Sequence, residues 1–360
     1  CAGANFPGGL AAQPIANVSV VFGAGALEHL AREVAQLGAQ RVLVLSTPAQ
    51  QAQAQDAASR LGERAVGVFA QAAMHVPAAI ARQACEYAAQ VRADATLAFG
   101  GGSTIGLAKA IALETGLPIL AVPTTYAGSE MTPIYGITED GLKKTGRDLR
   151  VLPRAVIYDP ALTLGLPTGL SITSALNAMA HAAEGLYAKD GNPVMSLMAE
   201  EGIRALATGM RGVFAQAGDM QARSDCLYGA WLCGSVLGHV GMALHHKLCH
   251  TLGGTFNLPH AETHTIVLPH ALAYNTQAAP EAMQRVARAI GASSAAAGLF
   301  DLAKDLGAPT ALRDIGFKES DIEVALKVAM SNPYWNPEPI VEDAVRELLR
   351  NAWEGRRPSV

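Results

Sequence analysis

The feature that most constrains the fold is an alternation of short apolar runs with helical patterns in the first 160 residues. Five runs rich in Val, Ile, Leu and Ala are typical of buried strands: 41–47, 65–70, 95–100, 118–125 and 155–160. Helical patterns at 26–38 and 78–93 precede the first and the third of these runs. Because strands that are apolar on both faces need cover on both sides, this alternation predicts a parallel, Rossmann-like α/β sheet with helices on each face.

The second half of the chain has a different sequence pattern. After Pro167 the strand-like runs stop, and helical periodicity continues to about Trp353. The segment 159–170, with two prolines and two glycines, is a natural linker. We therefore predict an α/β domain at 1–160 and an all-α domain at 161–360, with the active site in the cleft between them.

Composition narrows the range of partners. The chain has 360 residues, of which 50% are hydrophobic and 16% charged, and a net charge of −4 without a basic run, so a nucleic-acid partner is not expected. Apolar stretches are too short for a membrane span, and the first residues do not resemble a secretory signal. The five cysteines lack CxxC spacing, which favours reduced thiols in a cytoplasmic protein.

A glycine-rich turn follows the third predicted strand. Gly100, Gly101, Gly102, Ser103 and Thr104 lead into a helical pattern. Glycines let a backbone approach an anion closely, Ser103 can cap the helix, and a helix N-terminus attracts phosphate. The turn is neither GxGxxG nor a Walker loop, and a plain strand-to-helix turn is the alternative. We predict a pyrophosphate site here.

Two further loops fit a dinucleotide. Thr124, Thr125, Ser129 and Thr132 follow the next strand and suit phosphate and ribose contacts, although a simple polar turn would look similar. Ser46 ends the strand at 41–47, where dinucleotide folds often place an acidic residue that binds the ribose and repels a 2′-phosphate. The absence of that acid predicts that NADH and NADPH are both accepted.

Histidines recur in the helical half. His246 and His250 are spaced i, i+4 on one helix face, and Asn177 and His181 share that spacing on another predicted helix. His260 follows a proline. Each histidine alone is most simply a core residue, whereas convergence of all of them would indicate a metal or proton-transfer site.

The ordered motifs resemble the iron-containing alcohol dehydrogenase superfamily over about residues 18–353. They are GGGS after a strand, PTT…GSE, AVIYDPALT and HTLGG…PH…LPH. The resemblance implies a Rossmann-like domain, a helical domain and a divalent ion held by one Asp and three His. The Asp position falls on Asn177, and the three ligand-position histidines are His181, His246 and His260. His250 falls on a further active-site histidine, and Lys144 joins the expected cofactor contacts.

Three departures change the expected chemistry. Asn177 replaces the acidic ligand, Gly106 replaces the Asp of GGGSxxDxxK, and Ala261 replaces the Gly of Pro-His-Gly. A neutral amide is a poorer donor to a dication than a carboxylate, so we expect no bound metal. These departures, with AMHVP at 73–77 and NPYWNPEPI at 332–340, resemble the maleylacetate reductase branch.

That branch implies a specific reaction. Its members use NADH or NADPH to reduce the carbon–carbon double bond of maleylacetate, a small dicarboxylate, to 3-oxoadipate in bacterial aromatic and chloroaromatic breakdown. Many also remove chloride from 2-chloromaleylacetate, and the resemblance implies a homodimer. We expect His250 to be the leading acid and oxyanion partner, with His246 and His181 in support. The loop at 331–339 could bring Asn332, Tyr334 or Asn336 to the cleft.

Three rival functions fit parts of the pattern. A metal-dependent alcohol or glycerol dehydrogenase would use Asn177 as a weak fourth ligand. A lyase similar to dehydroquinate synthase would share the architecture but also need a metal. A non-catalytic dinucleotide-binding protein would leave the histidines without a role.

Overall fold

A computed structural model of the chain describes residues 18–139 and 142–359, so Cys1 lies outside the described residues. Its first half is a six-stranded parallel sheet in the order β1-β8-β5-β4-β2-β3. The strands of this sheet are β1 Ser19–Phe22, β2 Val42–Leu45, β3 Ala65–Phe69, β4 Ala95–Gly100, β5 Ile119–Pro123 and β8 Ala155–Tyr158. The five predicted strands are therefore confirmed, and a parallel sheet connects them.

Helices cover both faces of the sheet. They are α1 Leu30–Gln36, α2 Gln51–Leu61, α3 Ala78–Gln90 and α4 Gly102–Thr115. Strands β2, β4, β5 and β8 are buried along their whole length, as continuous apolar runs require. An antiparallel hairpin, β6 Ile134–Glu139 and β7 Leu142–Arg147, stands apart from the sheet after β5.

The second half is helical, as predicted. It contains α5 Thr168–Gly185, α6 Pro193–Ala215, α7 Met220–His239, α8 Leu244–Phe256, α9 His260–Asn275, α10 Pro280–Ile290, α11 Ala295–Asp305, α12 Ile322–Ser331 and α13 Glu342–Glu354. No single helix in the described ranges is long and apolar enough to cross a membrane. Only α7 and α8 taken together, across a bend of 97°, reach that length and composition.

The loop between β5 and β6 joins the sheet to the helices. Gly128 has φ +75°, and a Cβ there would lie 2.9 Å from the Cα of Gly234 on α7. The buried guanidinium of Arg223 donates to the Tyr126 hydroxyl at 3.2 Å and to the Ser171 hydroxyl at 2.7 Å. The backbones of this loop and α7 are in contact, and the hydrogen bonds of Arg223 are buried. These contacts hold the loop between β5 and β6 against α5 and α7.

Candidate active site

A cavity of ≈ 540 Å³ lies where the carboxyl ends of β4 and β5 face α5, α8 and α9. This is the position at which open parallel sheets bind ligands. Its lining includes Gly102, Ser103, Thr125, Ser129 and Thr132 on the sheet side, and Asn177, His181, His246, His250, His260 and His264 on the helical side. The structure thus brings all five predicted catalytic residues to one cleft.

The predicted pyrophosphate site at 100–104, called the phosphate cradle below, forms the expected strand-to-helix turn. The residue at the N-cap of its helix is not the predicted one. Helix α4 begins at Gly102, and its N-cap residue Gly101 makes no side-chain capping bond. The prediction that Ser103 caps the helix is therefore wrong, because Ser103 already lies inside the first turn. A Cβ on Gly101 would lie 2.7 Å from the Thr125 side chain, so only glycine fits. Uncapped N–H groups beside glycine fit the pyrophosphate of a dinucleotide.

Other predicted cofactor residues lie beneath the cleft surface. Gly100 ends β4, and a Cβ there would lie 2.4 Å from the Thr104 hydroxyl oxygen. Thr104 and Ser46 are fully buried, and their hydroxyls have no hydrogen-bond partner in the described part of the chain. The Thr124 hydroxyl accepts from Gln50 Nε2 at 2.8 Å. These side chains support the cradle from below rather than line it.

A buried lysine organises the second cofactor loop. Lys109 Nζ donates to the backbone oxygens of Ser129 at 2.7 Å, Thr132 at 2.9 Å and Ile134 at 2.8 Å. Burial lowers the pKa of Lys109 to about 7, and burial likewise raises the pKa of nearby Glu130 to about 7. Sequence reasoning gave Lys109 no role, although Lys109 stands at the Lys position of the GGGSxxDxxK motif.

The predicted cofactor residue Lys144 lies elsewhere. It sits on β7, its side chain is 72% exposed, and Nζ is 3.2 Å from the Glu139 carboxylate. It does not line the cavity in this structure.

The glycine at 106 has a packing reason. A Cβ on Gly106 would lie 2.7 Å from Val76 Cγ2. His75 and Val76 both adopt left-handed backbone, with φ 63° and 49°, which is costly for a β-branched residue. Thr138 holds this turn through its N–H to the Val76 carbonyl at 3.0 Å. Gly106 thus accommodates the loop that forms one wall of the cleft.

A chain of hydrogen bonds links three ionisable side chains at the base of the cleft. His181 Nε2 lies 3.3 Å from the Ala127 carbonyl oxygen, and His181 Nδ1 lies 2.9 Å from His246 Nε2. His246 Nδ1 lies 2.6 Å from Glu184 Oε2. If His181 donates to Ala127, its Nδ1 must accept from His246. All the contacts are then satisfied when His246 carries a proton on both nitrogens beside the Glu184 carboxylate.

Sequence reasoning missed Glu184, which is fully buried. Its carboxylate also accepts from the backbone N–H groups of Ala243 at 2.9 Å and His245 at 2.8 Å, at the start of α8. Asn177, His181 and Glu184 follow i, i+4, i+7 spacing on α5, so helical periodicity placed the acid on the same face. The anion absent at position 177 is thus present one turn beyond His181.

Asn177 occupies the place of the acidic ligand. Its side-chain oxygen is buried, and it has no hydrogen-bond partner among the described residues. An amide oxygen adds no charge to the site, so a dication would meet only neutral donors at the positions expected to bind it.

The ligand-position histidines do not form a cation site in this arrangement. Within the described ranges, one group of three His, Cys, Asp or Glu side chains brings its ligand atoms within 4.8 Å of one another, and it consists of His245, Cys249 and His264. The ring nitrogens of His181 and His246 instead lie 2.9 Å apart, within hydrogen-bonding distance of each other, and a nitrogen that carries the proton of such a bond is not available to a metal.

Behind this cluster lies a second layer of imidazoles. His245 Nε2 is 2.9 Å from His264 Nδ1, and both rings are fully buried. Burial, and next the neighbouring imidazoles, hold the pKa values of His181, His245 and His264 well below their usual range. Burial raises the pKa of the Cys249 thiol well above its usual value. The layer therefore supplies neutral packing, and the buried Cys249 thiol is part of it.

His250 has a partner from a distant loop. Its Nδ1 lies 3.1 Å from the Tyr334 hydroxyl, and its ring centroid lies 6.0 Å from that of His246. Of the three candidates in the loop at 331–339, Tyr334 and Asn336 contact α8, through His250 and the Leu244 N–H. His260 begins α9, and its ring centroid lies 4.4 Å from that of His264.

Comparisons with known proteins agree over nearly the whole chain. The family model "Iron-containing alcohol dehydrogenase" matches residues 17–160, and "Fe-containing alcohol dehydrogenase family, C-terminal" matches residues 171–353. A maleylacetate reductase of Burkholderia cepacia is 63% identical, and the match covers 94% of this chain and 97% of the relative.

Solved structures give the same picture. The maleylacetate reductase of Rhizobium sp. strain MTP-10005 is 52% identical with a TM-score of 0.91, over 95% of this chain and 98% of that chain. A protein of Ralstonia eutropha JMP134, named as an alcohol dehydrogenase, is 66% identical with a TM-score of 0.94, over 96% and 100% of the two chains. The chain therefore belongs to the iron-containing alcohol dehydrogenase family, where it groups with the maleylacetate reductases.

Proposed function

We propose that this protein reduces the carbon–carbon double bond of maleylacetate to give 3-oxoadipate, with NADH or NADPH as the reductant. The observation that carries the proposal is the hydrogen-bonded chain of Glu184, His246 and His181 at the base of the cleft, with a neutral amide at position 177. Relatives at 52–63% identity that are named maleylacetate reductase support the choice of substrate. The proposed place of the reaction is bacterial breakdown of aromatic compounds.

The substrate sets the chemical requirements. Maleylacetate carries a ketone conjugated to an alkene, with a carboxylate at each end. A bound reduced nicotinamide supplies a hydride to the alkene carbon farther from the ketone. Negative charge then develops on the ketone oxygen as an enolate, and the carbon next to the ketone needs a proton. The cleft must therefore offer one hydrogen-bond donor and one acid.

The histidines can fill these two roles. We assign His250 to donate a hydrogen bond to the ketone oxygen, because it lines the cleft and is oriented by Tyr334. His181, which also lines the cleft, gives the proton on its Nε2 to the carbon next to the ketone while its Nδ1 takes the proton that His246 held against Glu184, so that His181 stays neutral throughout. His260 lines the same cavity and adds a donor for a substrate carboxylate.

We propose that the reaction runs without a metal. Support comes from the 2.9 Å hydrogen-bonding contact between His181 Nδ1 and His246 Nε2 and from the uncharged side chain of Asn177. A metal-dependent alcohol or glycerol dehydrogenase remains the rival function. It would need His246 to lose its proton and to turn its Nε2 from His181 to an ion.

We propose dual cofactor use, with residues 1–160 as the cofactor domain and 161–360 as the catalytic domain. Ser46 at the end of β2 brings no carboxylate to the adenosine ribose, so a 2′-phosphate meets no repelling charge there. We also propose a cytoplasmic homodimer. The free thiols of Cys226, Cys233 and Cys249 suit a reducing compartment, and the family resemblance supports the dimer.

The direct test is NADH oxidation by purified protein with maleylacetate, followed by identification of 3-oxoadipate by mass spectrometry. We expect turnover with maleylacetate and none with simple aldehydes or ketones. Turnover restricted to a simple carbonyl, with maleylacetate inert, would favour the dehydrogenase instead.

A further inference from the structure

We propose that Tyr334 is a positioning residue that fixes the ring orientation and tautomer of His250, so that a neutral imidazole carries its proton on Nε2 and donates it to the substrate oxygen. The inference rests on the proposed function in that His250 is taken to face the substrate. It adds a residue 84 positions away in sequence to the machinery of the reaction.

The contact between Tyr334 and His250 fits a hydrogen bond in either direction, and the proposal is that the phenol donates to Nδ1. The Tyr334 hydroxyl lies 3.1 Å from His250 Nδ1, and this nitrogen is its only hydrogen-bond partner among the described residues. Burial raises the pKa of Tyr334, so its hydroxyl keeps its proton at neutral pH. A neutral imidazole has one N–H, and a phenol that donates to Nδ1 leaves that N–H on Nε2.

The loop that carries Tyr334 is anchored on both sides of this contact. Asn336 donates to the Asn275 side chain at 2.7 Å and accepts from it at 3.1 Å. The Tyr274 hydroxyl donates to the Pro339 carbonyl at 2.7 Å. Because Asn275 and Tyr274 both lie on α9, the loop is held to the same helix pair that carries the histidines.

Orientation matters as much as the tautomer. Rotation of the His250 ring by half a turn would exchange the positions of its two nitrogens, and the Tyr334 hydroxyl holds one of them. A donor that is fixed before the substrate binds needs no reorganisation as charge develops on the ketone oxygen. At metal sites, loss of a group that orients a histidine through its second nitrogen costs about 10- to 100-fold, and we expect a loss at the lower end of that range here.

The test compares Tyr334→Phe with a matched control, Tyr274→Phe. The control removes a phenol hydroxyl that anchors the same loop without contacting His250. The full chain is labelled with ¹⁵N-histidine, and two-bond ¹⁵N–¹H spectra report which ring nitrogen carries the proton. The His250 signals are assigned by their loss in His250→Gln. Rates are measured with maleylacetate and NADH.

The expected result is a pyridine-type Nδ1 and a pyrrole-type Nε2 for His250 in the wild type and in Tyr274→Phe. In Tyr334→Phe we expect mixed tautomers, a kcat about ten-fold lower and a KM for maleylacetate within about two-fold of wild type. A proton on Nδ1 in the wild type, or equal effects of the two variants, would overturn the inference. A wild type inactive on maleylacetate would refute the proposed function while leaving the tautomer result valid.

Discussion

Replacing Glu184 with glutamine tests the proton chain at its anionic end. The carboxylate is fully buried and accepts three hydrogen bonds, from His246 Nδ1 at 2.6 Å and from the backbone N–H groups of Ala243 and His245. An amide keeps the shape but removes the charge that balances a doubly protonated His246. In Glu184→Gln the imidazole therefore gives up its extra proton and accepts from the amide instead.

The expected magnitudes follow from these contacts. A hydrogen bond to a charged group contributes about 1.5–3 kcal/mol, so exchanging the charge-assisted bond for a neutral one should cost about 2 kcal/mol of unfolding free energy. Loss of a positioned acid lowers rates by about 10²- to 10⁴-fold, so kcat with maleylacetate should fall by at least about 100-fold. The KM for NADH should stay near the wild-type value, because Glu184 does not line the cavity.

The assay pairs urea unfolding with steady-state kinetics. Glu281→Gln is the matched control, since that carboxylate is 81% exposed and, among the residues that the structure describes, pairs with Arg285 on its own helix. It should change neither quantity by more than about 0.5 kcal/mol or its equivalent in rate. A Glu184→Gln protein that retains wild-type kcat would refute the proton chain, whatever its stability.

Three further predictions address other parts of the molecule. Gly128→Ala should cost about 2–3 kcal/mol in urea unfolding because the new Cβ meets backbone, whereas Gly116→Ala, with φ +75° and open space, should cost about 1 kcal/mol. Burial lowers the pKa of His270 to about 4, so the unfolded chain binds its proton first as pH falls below 6.5. Protonation of this histidine in the unfolded chain should lower the free energy of unfolding by about 2 kcal/mol between pH 7 and pH 5. His270→Leu should remove that part of the pH dependence of stability. For the wild type, kcat/KM with NADPH should lie within about ten-fold of that with NADH, and a gap of several orders of magnitude would refute the interpretation of Ser46.

Local patterns predicted most of the scaffold. Continuous apolar runs marked β2, β4, β5 and β8, because strands buried on both faces have no polar side. The edge strand β1 was missed because only four residues pair, and none of them is fully buried. The hairpin was missed because neither of its strands is a continuous apolar run, although the dipeptide Asp140–Gly141 between them in the sequence is a common hairpin signal.

The site was predictable only in part, for a physical reason. Spacing placed Asn177 and His181 on one helix face, and glycines marked the cradle, since both are local properties. The contacts of Glu184 with α8 and of Tyr334 with His250 join residues 59 to 84 positions apart. Such pairings depend on how helices pack. Local periodicity shows which face a residue occupies, but it does not show the partner that the face meets.

The central claim is that an imidazole cluster without its acidic ligand works by moving protons and not by binding a cation. The most direct measurement is the metal content of the purified protein, by mass spectrometry, together with maleylacetate reduction before and after exhaustive dialysis against EDTA. We expect substoichiometric metal and an unchanged kcat. A stoichiometric iron or zinc ion whose removal abolishes activity, and whose return restores it, would contradict the account.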